Sequence, residues 1–155
     1  LPPPEFKTTV HAAACPRGAL ASAASLAERY GARLVTVAGF DHVIDSPEHV
    51  TVGDDPQEAD IKIINLTRAG DAVVTQDIGL AAAVLGKKAA ALHPCGFEYR
   101  EETIAAALEE REIKAKYRRA GGRTKGPPKR TKEDDERFAS RLEQILRRLA
   151  KDNAG

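Results

Sequence analysis

The sequence predicts one three-layer α/β/α domain with a mainly parallel sheet, and three observations favour it. The chain has 155 residues, enough for one hydrophobic core but hardly for two. Hydrophobic residues make up 42% of the chain and charged residues 30%, which is typical of a globular protein and excludes wholesale disorder. Over roughly the first hundred residues, β-branched runs alternate with Ala-rich segments of helical periodicity, the order expected of βαβ units.

The first two strands and the helix between them have clear sequence signals. Residues 7–11 (KTTVH) predict the first strand. Pro16 predicts the start of a helix, because a proline in the first turn loses no hydrogen bond, and Gly31 predicts its C-terminal cap. Residues 33–38 (RLVTVA) predict the second strand, and residues 50–52 predict a short edge strand.

The other strands are separated by further helices. Asp55 and Pro56 predict the start of a helix, as an N-cap followed by proline at the first helical position. Residues 71–75 (DAVVT) predict a third main strand, after which Asp77 begins another helix. Residues 89–92 predict one more short strand.

Two helices are predicted in the last third of the chain, over residues 103–111 and 132–151. The second is amphipathic, and we expect its apolar stripe to pack on the domain, although the same stripe could form a homodimer contact. The stripe consists of Phe138, Leu142, Ile145, Leu146 and Leu149.

The formal net charge of +1 conceals a strong asymmetry. Residues 1–113 carry ten basic and seventeen acidic side chains, a balance of −7. Residues 114–132 carry nine basic and no acidic side chains, and residues 133–155 are close to neutral. Glycine and proline pairs interrupt the basic segment, so the predicted organisation is an α/β domain over residues 7–113, a basic loop over 114–132 and a C-terminal helix over 133–151.

The basic segment, residues 114–132, is the predicted binding surface for RNA or DNA. Cations spaced by glycines suit contacts to phosphates, whereas the single aromatic residue, Tyr117, does not favour base stacking within the segment. Two alternatives stay open, a solvated surface that pairs with the acidic body and a surface that binds an acidic protein. The residues predicted to contact nucleic acid are Arg118, Arg119, Arg123, Lys125, Lys129 and Arg130.

Several sequence segments resemble the bacterial YaiI/YqxD family, over about residues 9–149. The resemblance implies a PIN-like fold, related to nucleases that hold a metal ion with acidic side chains, and the family's own activity is unassigned. The matching segments are residues 59–63 (ADIKI), 73–77 (VVTQD), 96–99 (GFEY) and 121–127 (GGRTKGP).

One segment departs from the pattern that the resemblance implies. Family members typically carry Val-Asp-Ala-Asp-Ala-Cys-Pro at the end of the first strand, whereas residues 10–16 read VHAAACP. His11 and Ala13 therefore stand where two carboxylates would help to hold Mg²⁺ or Mn²⁺. Alanine supplies no ligand atom, and an imidazole nitrogen suits Zn²⁺, Ni²⁺ or Fe²⁺ better than Mg²⁺. Any bound Mg²⁺ or Mn²⁺ is expected to be held weakly.

The resemblance leaves Asp60 and Asp77 as candidate catalytic and metal-binding residues, with His11 as a further ligand. Each aspartate also has a structural interpretation, since Asp77 follows a strand as a helix cap does and Asp60 lies in the first turns of a helix, where negative charge suits the dipole. Possible acidic neighbours are Asp41, Asp54, Asp55 and Asp71.

A second group of metal-binding residue types also follows predicted strands: His11, Cys15, His93 and Cys95. Their spacing matches no recognised zinc pattern, so we do not expect a zinc site. A nucleophilic role for Cys15 is not favoured either, because no base near it can be identified in the sequence.

The leading hypothesis is therefore a PIN-related protein that contacts nucleic acid and whose metal-dependent nuclease chemistry is impaired or absent. The alternatives are an active metal-dependent phosphodiesterase that uses Asp60 and Asp77, and a non-enzymatic protein-interaction module. A cytoplasmic location without a membrane segment is expected. No apolar run approaches the roughly 20 residues that span a bilayer, residues 1–5 lack the features of a signal peptide, and two cysteines do not make a disulfide framework.

Overall fold

The computed structural model describes residues 6–40, 44, 46, 48–126 and 128–154, and within them it contains a six-stranded sheet with helices on both faces. The strand order is β3-β2-β1-β4-β5-β6. The first five strands pair in parallel, and β6 pairs antiparallel with β5. The predicted α/β class with a mainly parallel sheet is confirmed. The strands are β1 (Lys7–His11), β2 (Arg33–Gly39), β3 (His49–Val52), β4 (Ala72–Val74), β5 (Ala90–Leu92) and β6 (Glu98–Tyr99).

The two faces of the sheet bury two separate aliphatic cores, because successive side chains of a strand point to opposite faces. On one face, Val10 and Val74 pack with residues of α1 and α5. On the other face, Val37 and Val73 pack with residues of α2 and α3. The helices are α1 (Arg17–Arg29), α2 (Pro56–Leu66), α3 (Ile78–Gly86), α4 (Glu101–Arg119) and α5 (Lys132–Ala154).

The C-terminal helix α5 lies on the same face as α1. All five residues of its apolar stripe are buried, and four of them are fully inaccessible to solvent. At the edge of this contact, the Tyr30 hydroxyl donates to the Glu143 carboxylate at 2.9 Å, and the Arg147 guanidinium donates to the Tyr30 oxygen at 2.7 Å. The amphipathic pattern is therefore accounted for within the chain by burial against its own core.

Helix α4 is longer than the sequence pattern predicts. It extends to Arg119, so the prediction of a loop over the whole of residues 114–132 is wrong for the first six residues. The helix continues because no glycine or proline interrupts it and because Lys116, Arg118 and Arg119 in its last turn suit the negative end of the helix dipole. The chain turns just after it at Gly121, whose φ of +93° favours glycine.

No helix in the described part of the chain is long and apolar enough to cross a membrane.

Candidate functional site

The candidate site lies between the carboxyl ends of β1 and β4. These neighbouring strands mark the switch in strand order, which is where open α/β sheets form a ligand-binding crevice. His11 is the last residue of β1, and Asp77 follows β4 by three positions. Helix α2 brings Asp60 alongside them. The three residues expected to bind metal therefore lie together in this crevice.

Thr75 fixes the geometry of the crevice. Its Oγ1 lies 3.2 Å from Nδ1 of His11 and accepts a hydrogen bond from the backbone N–H of Asp77 at 3.0 Å. The hydroxyl thereby links the end of β1 to the turn after β4. The other imidazole nitrogen of His11 lies 4.0 Å from Oδ1 of Asp60, beyond hydrogen-bonding distance.

Asp60 is held in an environment that disfavours its negative charge. Its Oδ1 atom is buried and has no hydrogen-bond partner among the described residues. Burial raises the pKa of Asp60 above its ordinary value, and the nearby negative charge of Asp77 raises it further, while His11 acts in the opposite direction. A carboxyl group in such a setting takes up a proton more readily than a solvated one.

Asp77 serves as the N-cap of α3. Its Oδ1 accepts hydrogen bonds from the backbone N–H groups of Gly79 at 2.8 Å and Leu80 at 3.3 Å. The structural interpretation of this aspartate therefore holds, and one carboxylate oxygen is already engaged in capping. The same oxygen lies 3.6 Å from a guanidinium nitrogen of Arg111, which reaches the crevice from α4.

Arg111 is the residue at this crevice that sequence reasoning missed. It belongs to α4 and precedes the basic segment by three positions. Together with Lys114 and Arg118 it follows helical spacing, and these side chains line a groove of about 240 Å³ beside Ile78 at the start of α3. Residues 111, 114 and 118 are spaced as on one face of a helix, which was the available signal in the sequence. This pattern can be recognised only if α4 is known to continue past residue 111.

The donor set of the crevice does not fit the Mg²⁺ or Mn²⁺ ion that the family resemblance implies. Among the described residues, no group of three or more His, Cys, Asp or Glu side chains could hold a metal ion. One carboxylate oxygen of Asp77 caps a helix, and His11 offers a nitrogen ligand where these ions prefer oxygen. These ions require a near-octahedral shell that is rich in oxygen ligands, which this arrangement does not supply.

The six residues predicted to contact nucleic acid fall into two groups. Five lie on exposed surface: Arg118 and Arg119 on the last turn of α4, and Arg123, Lys125 and Lys129 in the loop that follows.

Arg130 is the sixth, and it differs from the others. Only 21% of its side chain is exposed. Its guanidinium donates to the Pro94 carbonyl oxygen and to the Asp135 carboxylate, each at 2.8 Å. The structure therefore gives Arg130 intramolecular partners, which a phosphate would have to displace.

Comparison with known proteins establishes the family. A model described as the uncharacterized BCR, YaiI/YqxD family matches residues 9–148 of the chain. The chain belongs to the YaiI/YqxD family. The UPF0178 protein of Heliobacterium modesticaldum is 52% identical over 142 residues, which cover 92% of this chain and 97% of that protein.

Two further relatives in the family share a smaller fraction of identical residues with the chain. The UPF0178 protein of Alkaliphilus metalliredigens is 42% identical, over 79% of this chain and 81% of its own length. A UPF0178 protein of Staphylococcus saprophyticus is 40% identical, over 75% of this chain and 79% of its own length. No solved structure matches the chain.

Of the acidic residues expected near the crevice, Asp55 has a capping role and Asp71 lies at the opposite edge of the sheet. Asp55 caps α2 by accepting the backbone N–H of Gln57 at 3.0 Å, and Asp54 beside it is exposed. Asp71 lies before β4, at the amino end of the sheet, where it is buried and paired with Lys7 at 2.5 Å. Asp41 lies outside the described residues.

Cys15 is not poised for nucleophilic attack, and His93 has a structural role in its own turn. Burial raises the pKa of the Cys15 thiol to about 11, against a smaller opposing effect of Arg130, so that the thiol stays protonated near neutral pH. Burial and the Arg130 charge lower the pKa of His93. Its Nδ1 accepts a hydrogen bond from the backbone N–H of Cys95 at 2.9 Å, and this contact stabilises the turn that contains both residues.

Proposed function

We propose that this protein contacts RNA or DNA through residues 114–132, on a PIN-like scaffold whose metal-dependent phosphodiester hydrolysis is impaired or absent. The observation that carries the proposal is the unneutralised positive charge of this segment. Within the described chain, ion pairs join Lys114 to Glu110, Arg119 to Glu112 and Arg130 to Asp135. Arg123, Lys125 and Lys129 are exposed and make no ion pair with a described residue.

The alternative that this segment pairs with the acidic body of the protein is less well supported. The acidic partners of its cations are Glu110, Glu112 and Asp135, which lie in α4 and α5 close to the segment itself. The loop cations are thus left available for phosphates, to which arginine can bind through two parallel hydrogen bonds. Contacts of this kind are independent of base sequence.

Impaired hydrolysis is supported by the composition of the crevice. The family resemblance implies acidic residues at positions 11 and 13, where this chain has His11 and Ala13. The remaining carboxylates are Asp60, whose pKa is raised by burial and by the charge of Asp77, and Asp77, which caps α3. Asp60 lies where negative charge is disfavoured, and one oxygen of Asp77 is already engaged in capping. These two carboxylates are therefore a poor replacement for a full set of oxygen ligands.

Binding is tested by fluorescence anisotropy of labelled RNA and DNA over a range of salt concentrations. We expect affinity to fall as salt rises, because phosphate contacts release counterions. The variant Arg123→Gln should weaken binding for every sequence and reduce the salt dependence by about one counterion. Arg68→Gln is the matched control, since Arg68 is exposed and lies before β4, at the amino end of the sheet. Absence of binding at low salt would contradict the proposal and favour a protein partner.

Hydrolysis is tested by incubating the same nucleic acids with Mg²⁺ or Mn²⁺, and no cleavage is expected. Cleavage that disappears in the Asp77→Asn variant would overturn this part of the proposal and establish the active phosphodiesterase instead. The double variant His11→Asp with Ala13→Asp is a complementary test. We expect it to gain Mn²⁺ binding by calorimetry, and if it does not, Asp60 and Asp77 are not the remaining ligands.

A further inference from the structure

The turn between β5 and β6 presents an exposed aromatic ring on a rigid support. Phe97 has 53% of its surface exposed. One face of its ring stacks on His93, with a centroid distance of 4.5 Å and an interplanar angle of 18°. Tyr99 packs edge-on against it at 5.1 Å. A ring that is held in place and yet half open to solvent is preorganised to stack on a further planar group.

The turn itself is fixed against α5. The backbone N–H of His93 donates to the Phe97 carbonyl oxygen at 2.9 Å, and that of Gly96 donates to the His93 carbonyl oxygen at 2.9 Å. Gly96 has a φ of +97°, and a Cβ atom placed on it would lie 2.7 Å from the backbone of Arg137. The close approach to α5 therefore holds the Phe97 ring beside the basic residues of that helix.

Three arginines line the same depression as Phe97, which has a volume of about 520 Å³: Arg100, Arg137 and Arg141. Arg137 is paired with Asp134. The guanidinium groups of Arg100 and Arg141 have no hydrogen-bond or ion-pair partner among the described residues. The acidic residue of the depression, Glu98, is neutralised by Arg148 at 2.8 Å. The depression therefore combines an open aromatic face with excess positive charge.

We propose that Phe97 is a stacking platform for one base of a single-stranded nucleic acid, with the adjacent phosphates bound by Arg141 and Arg100. An aromatic ring stacks on any unpaired base, whereas the bases of a duplex are already stacked on one another. The platform is connected to the basic loop, because Arg130 at the end of that loop binds the Pro94 carbonyl oxygen of the same turn. This inference rests on the proposed contact with nucleic acid and specifies its form, a preference for single strands.

The test compares oligo(dT) with a duplex of the same length, using the full chain and single-residue variants of it. Phe97→Leu keeps an apolar side chain but removes the aromatic face, and should weaken oligo(dT) binding about ten-fold. Duplex binding should change less than about two-fold, since it depends on phosphate contacts alone. Arg141→Gln should weaken oligo(dT) binding more than Arg68→Gln, its control at the amino end of the sheet.

Phe97→Trp distinguishes stacking from a merely structural role. It should restore oligo(dT) affinity, and because the chain contains no tryptophan, quenching of its emission by oligo(dT) reports on this ring alone. Equal losses for single strand and duplex, or no loss in Phe97→Leu, would overturn the platform while leaving the basic loop as the contact. A loss in Phe97→Leu without one in Arg123→Gln would instead overturn the loop and keep the platform. If the unmodified protein binds neither nucleic acid, both proposals fail.

Discussion

The Arg130 guanidinium donates a hydrogen bond to the carbonyl oxygen of Pro94 at 2.8 Å. The same side chain donates from Nε to Asp135 at 2.8 Å. It therefore connects the end of the basic loop, the turn after β5 and the first turn of α5. Its neighbour Lys129 is exposed and has no such contact among the described residues.

The variant Arg130→Gln should lower the free energy of unfolding by about 1–3 kcal/mol, because it removes hydrogen bonds to a charged group in a half-buried position. Lys129→Gln, which removes the same charge next to it, should change stability by less than about 0.5 kcal/mol. Urea denaturation followed by circular dichroism measures both. Equal effects of the two variants would show that Arg130 has no structural role.

The Asp77→Asn variant should lower the pKa of Asp60, since it removes a negative charge that raises this pKa. With its folded-state pKa raised above the ordinary 3.8, Asp60 favours the folded state at low pH, and this contribution is lost as pH rises through the folded-state pKa. In Asp77→Asn the loss should be smaller and should occur at lower pH. Asparagine also caps helices, so α3 is preserved.

Carboxyl-detected NMR titration measures the pKa of Asp60 directly. Asp55→Asn is a suitable control, because Asp55 is also a helix N-cap but does not contribute to the pKa of Asp60. A pKa of Asp60 that stays unchanged in Asp77→Asn would mean that the charge of Asp77 does not raise it.

Gly96→Ala should be more destabilising than Gly121→Ala. Both glycines have positive φ, of +97° and +93°, so an alanine at either position costs about 1–3 kcal/mol of backbone strain. A Cβ atom at Gly121 meets no other atom within 4 Å, whereas one at Gly96 would collide with the backbone of Arg137. This collision should add about 1–3 kcal/mol. Thermal unfolding of the two variants checks the difference, and equal costs would mean that the turn can move away from α5.

Asp71→Asn should destabilise the protein by about 3–5 kcal/mol, because it leaves Lys7 buried without its counter-charge. The two side chains are only 10% and 4% exposed, and their charged atoms are 2.5 Å apart. Glu48→Gln breaks the exposed pair with Arg33 and should cost less than about 1 kcal/mol. Denaturant unfolding of both variants gives the comparison, and similar costs would show that the Lys7 amine finds another partner.

The fold class followed from patterns that act over short distances. Residues 7–11 form β1 with the predicted bounds. A β-branched run is the sequence signal of a strand that a parallel sheet buries on both faces. The last turns of α4 and strand β6 were not predicted. Glycine and proline pairs after residue 120 favoured a loop over the whole basic segment, and the two residues of β6 are too few to show a periodicity.

The candidate site was only partly predictable, for a different reason. The family resemblance supplied Asp60, Asp77 and His11 as candidates, and the structure brings the three together. The approach of Arg111 to Asp77 depends on how α4 packs on α3, and the exposure of Phe97 depends on how its turn meets α5. Such contacts join segments far apart in the chain, so local pattern carries no signal for them.

The direction of β6 determines which end of the molecule receives the positive charge. As β6 runs opposite to the other five strands, α4 begins beside Lys88, ahead of β5, and then runs back toward the carboxyl ends of the strands. Its 19 residues extend about 28 Å, whereas the three residues of β5 extend about 10 Å. The last turns of α4 therefore project beyond the sheet past Asp77. A reversal of only two residues thus brings the cations at the end of α4 to the same edge of the sheet as the carboxylates of the crevice.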